Sequence, residues 1–213
     1  MLRTIITAIG LLAGGLYLVA PQSWAAPTTK KESAKTKREA AKAKREAAKA
    51  KKAEEKAKKA AAKKAAASQA AFEQTEATSA VGKALKNVEF IGIARPDVTA
   101  DFYVVVRSSS TCPHCVKLLP EVIAAYKEMR ASGKVELIYE SFDSDAEKAQ
   151  EHLTKQGANF PAALRAQTGN LPGAAPLMVP PPAAYIIDAT GKRLASGPLA
   201  PVLADWRKIT IDK

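Results

Sequence analysis

The residues best suited to chemistry are Cys112 and Cys115, which bracket Pro113 and His114 in a C-x-x-C run. They are the chain's two cysteines, so no thiol is left over for a structural bridge. Cysteines at this spacing can close a disulfide across one helical turn, or offer half of a zinc site. Zinc takes four ligands, and only His114 and His152 are available as histidines. No metal or cofactor is therefore expected, and thiol–disulfide exchange is the chemistry that fits. In that reading Cys112 is the nucleophile and Cys115 resolves the mixed disulfide. A less favoured reading is a copper chaperone, in which a nearby soft ligand such as Met178 joins the two sulfurs around Cu(I).

Exchange needs a reactive thiolate, and the flanking sequence supplies a place for one. Asp101 to Val106 is a run of buried-strand type, and Arg107 to Thr111 reads as a polar loop. Val116, Leu119, Val122, Ile123, Tyr126 and Met129 then recur at helical spacing as far as Ala131, with Gly133 as the stop. Cys112 thus falls at a helix N-terminus, where unpaired N–H groups and the helix dipole favour a sulfur anion. Pro113 suits a first helical turn. His114, if protonated, would add positive charge beside the sulfur.

Further elements follow. Val135 to Tyr139 is a short apolar strand, and Ser144-x-x-Glu147 predicts a capping box opening a helix to about Gln156. Ala183 to Ile187 and Lys192 to Ser196, joined by Asp188-Ala189-Thr190-Gly191, read as a hairpin, and Leu199 to Lys208 as a last helix. Strands alternating with helices predict an α/β fold whose central sheet is mixed because of that hairpin.

From Val81 onward the chain resembles the thioredoxin-like superfamily. Cys112-Pro113-His114-Cys115 matches the active-site tetrapeptide of DsbA-type disulfide oxidases, and Pro120 the helix-kinking proline of thioredoxins. Pro182 to Gly191 is similar to the Pro-Thr-Thr-Phe-Leu-Ile-Asp-x-x-Gly stretch of TlpA- and nucleoredoxin-like members, and Phe142-Asp143 through Phe160-Pro161 to the TlpA-like insertion. The resemblance implies a thioredoxin-like fold with Cys112, Cys115, His114 and Pro113 at the active site. It also implies a cis-proline facing the cysteines at Pro182, with Pro180 and Pro181 as alternatives. Two positions depart from the pattern. Thr111 stands where most members have Trp, and Val106 where a buried acid would relay protons to the second cysteine. The tetrapeptide points to an oxidase or isomerase and the TlpA-like frame to a reductase; the oxidising direction is favoured.

The remaining sequence concerns delivery. The chain of 213 residues carries a net charge of +12, yet residues 30–64 hold 16 basic and 5 acidic side chains, while residues 68–213 are balanced at 16 of each. The charge is a tract joined to a neutral body, which makes nucleic acid an improbable partner for the body. Within the tract Lys37-Arg38-Glu39-Ala40-Ala41-Lys42-Ala43 recurs seven residues later. These are strong helix formers without Gly or Pro, so a helix of about 40 residues is predicted. Its apolar stripe is alanine, too small for a strong coiled-coil seam. It reads as a semi-rigid spacer, with electrostatic contact to an anionic membrane or cell wall as the alternative.

Ahead of it, Arg3, the apolar run from Thr4 to Ala20 and Ser23-Trp24-Ala25 have the layout of a signal peptide or an uncleaved anchor. The expected organisation is a leader over 1–25, a basic helical or disordered spacer over 26–76 and a thioredoxin-like domain over 77–213. The protein is expected to be exported to the periplasm or cell envelope. Its expected partners are protein thiols and disulfides and an envelope redox protein. A tethered scaffold acting through the basic tract is the alternative function.

Overall fold

The computed structural model describes the backbone of residues 30–92, 94–174 and 179–212, and side chains from Arg38 onward. The expected leader and Met178 lie outside the described residues. The described residues divide into two units, one up to Ala53 and one from Glu54 onward.

The Ala/Lys/Glu tract forms one helix, α1 (Lys30–Gln74), with Glu54–Lys58 and Glu55–Lys59 ion pairs at i,i+4. From Arg38 to Lys64 every residue is exposed. In the second unit Phe72 is buried, edge-on to Phe90 and in one cluster with Leu85 and Val88. Among the described residues no helix is long and apolar enough to cross a membrane.

The second unit is α/β, as expected. Its elements run α2 (Ala80–Leu85), β1 (Phe102–Ser108), α3 (Pro113–Ser132), β2 (Val135–Ser141), α4 (Ala146–Lys155), β3 (Ala162–Leu164), α5 (Arg165–Thr168), β4 (Ala183–Asp188), β5 (Arg193–Pro198) and α6 (Leu199–Thr210). The strands form one mixed sheet in the order β3-β2-β1-β4-β5. β1 pairs parallel with β2 and antiparallel with β4, so it is the central strand. Central strands need both faces apolar, and Val104, Val105 and Val106 are fully buried. Even-numbered β1 residues pack with Leu119, Val122 and Met129 of α3 and Val202 and Trp206 of α6. Odd-numbered ones pack with Val81 and Leu85 of α2. Burying each such side chain contributes about 1.5–3 kcal/mol.

Glycines set two of these contacts. Gly133 ends α3 at φ 68°, a left-handed conformation that costs glycine little. A Cβ on Gly82 would stand 2.1 Å from the Val98 carbonyl oxygen, so only glycine lets α2 approach that segment.

Four readings from the sequence are corrected. β1 continues through Arg107 and Ser108, expected in a loop, because they pair with Glu140 and Ser141 of a β2 that is itself longer than expected. α4 is capped by Asp145, whose Oδ1 accepts from the Glu147 and Lys148 N–H groups, instead of by Ser144. Asp at the N-cap satisfies these two orphan donors with one oxygen. β3 and α5 were not anticipated, since three residues of strand carry too little periodicity to detect. β5 runs two residues further than expected and α6 ends at Thr210.

Candidate functional site

Cys112 is the N-cap of α3, and its Sγ accepts a hydrogen bond from the Cys115 N–H at 3.3 Å. Pro113 occupies the first turn, where its missing N–H has no intrahelical partner to lose. Cys112 is half-buried, Cys115 is buried, and both are free thiols.

The two sulfurs are unlike. A hydrogen bond from the Cys115 side chain, aided by the backbone N–H groups of Cys115 and His114, holds the Cys112 thiol below its ordinary value. Burial pushes the Cys115 thiol up, and its contact with Cys112 adds to this. The outer sulfur is therefore the one that becomes a thiolate first, which is the polarity a nucleophile and its resolving partner need. His114 turns out to act on Cys112 through its backbone N–H, while its residue is exposed.

The segment entering Cys112 is held from the residues that follow β2. The Asp143 carboxylate accepts from Ser109 Oγ (2.8 Å), Ser110 N (3.1 Å), Ser110 Oγ (2.9 Å) and Ser141 Oγ (2.8 Å). Although burial works the other way, these serine donors keep Asp143 below the usual carboxylate range. Thr111 N–H donates to Ser109 Oγ, which extends the network to the residue before Cys112.

The Pro181–Pro182 peptide bond is cis. The pairing Arg107↔Ala183 sets Pro182 beside the end of β1, the same end of the sheet that leads to Cys112. Arg107 ties this region together: its Nε meets Glu140 Oε1 at 3.0 Å, its Nη1 donates to the Val179 carbonyl at 3.4 Å, and its guanidinium lies over the Phe142 ring. Glu140 also accepts from Thr168 Oγ1 at 2.8 Å. Val106, the position without an acid, is fully buried among apolar residues on the α3 side. The nearest buried acid along β2, Glu140, faces the opposite side and is occupied by Arg107. His152 is half-buried on α4, and among the described residues no group of three or more His, Cys, Asp or Glu side chains is placed to hold a metal ion.

No family model matches the sequence, and neither does any curated protein. Solved structures do show likeness. StoA from Bacillus subtilis is 16% identical over 52% of this chain and 82% of its own, with a TM-score of 0.43. A thiol:disulfide interchange protein from Bacteroides sp. is 14% identical over 52% and 74%, TM-score 0.42. A secreted disulfide oxidoreductase of Mycobacterium tuberculosis, homologous to DsbE of E. coli, is 19% identical over 46% and 68%, TM-score 0.35. The strand order, the parallel β1–α3–β2 crossover and the closing β4–β5–α6 unit define the architecture by themselves. The fold is thioredoxin-like.

Sequence reasoning singled out the tetrapeptide and the proline segment but not Ser108, Ser109 and Asp143 beside them. Ser108 and Ser109 lay in what read as loop. The cluster Ser141, Asp143, Ser144, Asp145 after an apolar strand was the available signal for a polar network, but nothing local says that Asp143 reaches back 33 residues.

Proposed function

We propose that this protein exchanges disulfides with exported proteins through Cys112 and Cys115, acting in the cell envelope. The observation that carries the proposal is the polarity of the pair: Cys112 at the start of α3 with its thiol shifted down, Cys115 buried behind it with its thiol shifted up. In the oxidising direction, a substrate thiolate attacks Cys112 of the Cys112–Cys115 disulfide and Cys115 leaves. The substrate's second thiol then displaces Cys112, so the substrate gains the disulfide and the pair is reduced. Stabilising the Cys112 thiolate favours the reduced pair, which makes the couple more oxidising. His114 and Pro113 act by shaping the first turn, and Pro182 by lining the approach to Cys112.

Equilibration of the pair against a glutathione buffer tests this. A potential near about −120 mV supports a disulfide donor, and one near about −270 mV a reductase. A pair that does not cycle overturns the proposal.

The second reading, a tethered scaffold working through its basic helix, is favoured by the full exposure of residues 38–64 and their excess of Lys and Arg. The helix has no Leu, Phe or Trp face for insertion, so any contact with an anionic membrane or cell wall would be electrostatic and salt-sensitive. A Cys112→Ser chain that keeps the cellular phenotype, with loss on charge-neutralising substitutions in 38–64, would favour this reading over exchange.

A further inference from the structure

The run that leads into Cys112 carries no apolar side chain: it reads Ser108, Ser109, Ser110, Thr111. The core contacts of Leu119, Val122 and Met129 begin about two turns further along α3, too far on to fix where the helix starts. The start is fixed by polar contacts instead. The Phe142 N–H donates to the Ser108 carbonyl at 2.8 Å, which carries the β1–β2 pairing one step further and sets Asp143 opposite the run. Asp143 Oδ1 accepts from Ser109 Oγ and Ser110 Oγ at 2.8 and 2.9 Å, and both its oxygens face the Ser110 N–H, at 3.1 and 3.2 Å. Hydrogen bonds to a carboxylate are the stronger kind.

From Asp143 the hold passes to Cys112 through Ser109. This serine is buried, and its hydroxyl, while donating to Asp143, accepts from the Thr111 N–H at 3.3 Å. Its carbonyl accepts from the Cys112 N–H at 3.3 Å, which closes Ser109 to Cys112 into a turn. The turn delivers Cys112 to α3 with φ −91° and ψ 113°, the extended conformation of an N-cap. That conformation turns the Cys112 Sγ onto the Cys115 N–H, 3.3 Å away.

We propose that Asp143 is a positioning residue for exchange: by holding the Ser109–Cys112 turn it keeps Cys112 seated as the N-cap of α3, with its sulfur on the Cys115 N–H. It acts through the turn and touches no reacting atom. The inference rests on the exchange function proposed above, but its consequence is read at Cys112 alone. The sign of that consequence separates two ways for a carboxylate to matter. Acting by its charge, Asp143 would oppose a sulfur anion, and neutralising it would ease thiolate formation. Acting through the turn, it supports the N–H···S bond, and its loss makes the thiolate harder to form.

The test is alkylation of Cys112 by iodoacetamide against pH in the full chain, with Cys115→Ser in every sample so that a single thiol reports. The sulfur displaces iodide as a thiolate, so the rate follows its ionisation. In chains shown to be folded by near-ultraviolet dichroism, Asp143→Asn should move the midpoint to higher pH and slow the reaction about fivefold at neutral pH, the weight of about one hydrogen bond. The rates should converge where the thiol is fully ionised. Ser109→Ala should shift the midpoint the same way, and the double variant should shift it no further than the larger single, because both cut one path. A midpoint that stays in place or falls in Asp143→Asn, or a double variant whose shift is the sum of the two, overturns the proposal. Where Asp143→Asn does not fold, Ser109→Ala decides by the same signs. Failure of the wild-type pair to cycle with glutathione would instead overturn the exchange function, and the Cys112 midpoint would still decide the role of Asp143.

Discussion

Two ion pairs of nearly equal length lie in opposite surroundings. Arg107 and Glu140 meet at 3.0 Å with side chains 6% and 4% exposed, whereas Glu54 and Lys58 meet at 2.7 Å with 64% and 76% of their side chains in solvent. Bond length does not rank them; what each charge loses when its partner is removed does. In water an abandoned carboxylate is rehydrated at little cost, but beneath the sheet an abandoned Glu140 has only Thr168 and the more distant Arg165 to answer it.

The largest effect should therefore come from Arg107→Met. It strands Glu140 and releases the Val179 carbonyl, and it should cost about 3 kcal/mol in a urea titration. The double change Arg107→Met with Glu140→Leu, which removes both charges, should recover most of that loss. A single variant costing under about 1 kcal/mol, or a double variant no better than the single, would show that burial does not set the difference between the two pairs.

Glu136 sharpens the comparison because only one side of its pair is buried. Its carboxylate is fully enclosed while its partner Arg130, at 2.7 Å, is 47% exposed. Burial pushes Glu136 up to about 7, against the opposing influence of the Asp97 and Leu137 N–H groups and Arg130. The folded chain thus holds this proton more tightly than the unfolded chain, whose value is near 4.5. The resulting stability is fully present below about pH 4.5 and is lost as pH rises through about 7. Stability should fall by about 1–3 kcal/mol on this account between pH 5 and 8. Glu136→Gln should flatten that slope, and an unchanged slope in the variant would assign it to other groups.

Asp143 has the opposite sign. Serine donors hold it below its ordinary value, so its contribution is present above about pH 4 and is lost on acidification through the lower folded value. It is only half-buried, and solvent screening limits the loss in Asp143→Asn to about 1 kcal/mol. The sharper readout is local: amide exchange at Ser110 should accelerate, because that N–H donates to the carboxylate. Unaltered exchange there would mean that the segment before Cys112 is held by something else.

This graded series also explains what the sequence could disclose. Glu54–Lys58 is legible because helical spacing brings residues four apart together. Cys112 at a helix start, the Gly133 stop and the closing hairpin are legible for the same reason: each is a local pattern confirmed within a few residues. Arg107–Glu140 spans 33 residues, and Ser109, Ser110 and Asp143 meet only once β1 and β2 have paired in one register. The polar character of Arg107 and Ser108 pointed to a loop, since alone they cannot be buried. Pairing supplies the partners that make their burial tolerable. Ser144 and Asp145 were both fit to cap α4, and the choice between adjacent capping residues turns on backbone geometry that composition does not fix.

The smallest effect is expected on α1. Glu54 and Glu55 bind Lys58 and Lys59 at 2.7 Å each, and the Glu54 carboxyl is held low by the hydrogen bond from Lys58. All four side chains remain largely in water, where the pair exchanges one set of hydrogen bonds for another and salt weakens what is left. Glu54→Gln with Glu55→Gln should leave the urea midpoint of the full chain unmoved within error. Helical ellipticity should change slightly at low salt and not at physiological salt. A midpoint shift approaching that of Glu136→Gln would break the ranking by burial, because it would mean that these exposed carboxylates are covered by something in solution. The basic helix would then be an interaction surface in its own right, and the scaffold reading would gain over the spacer.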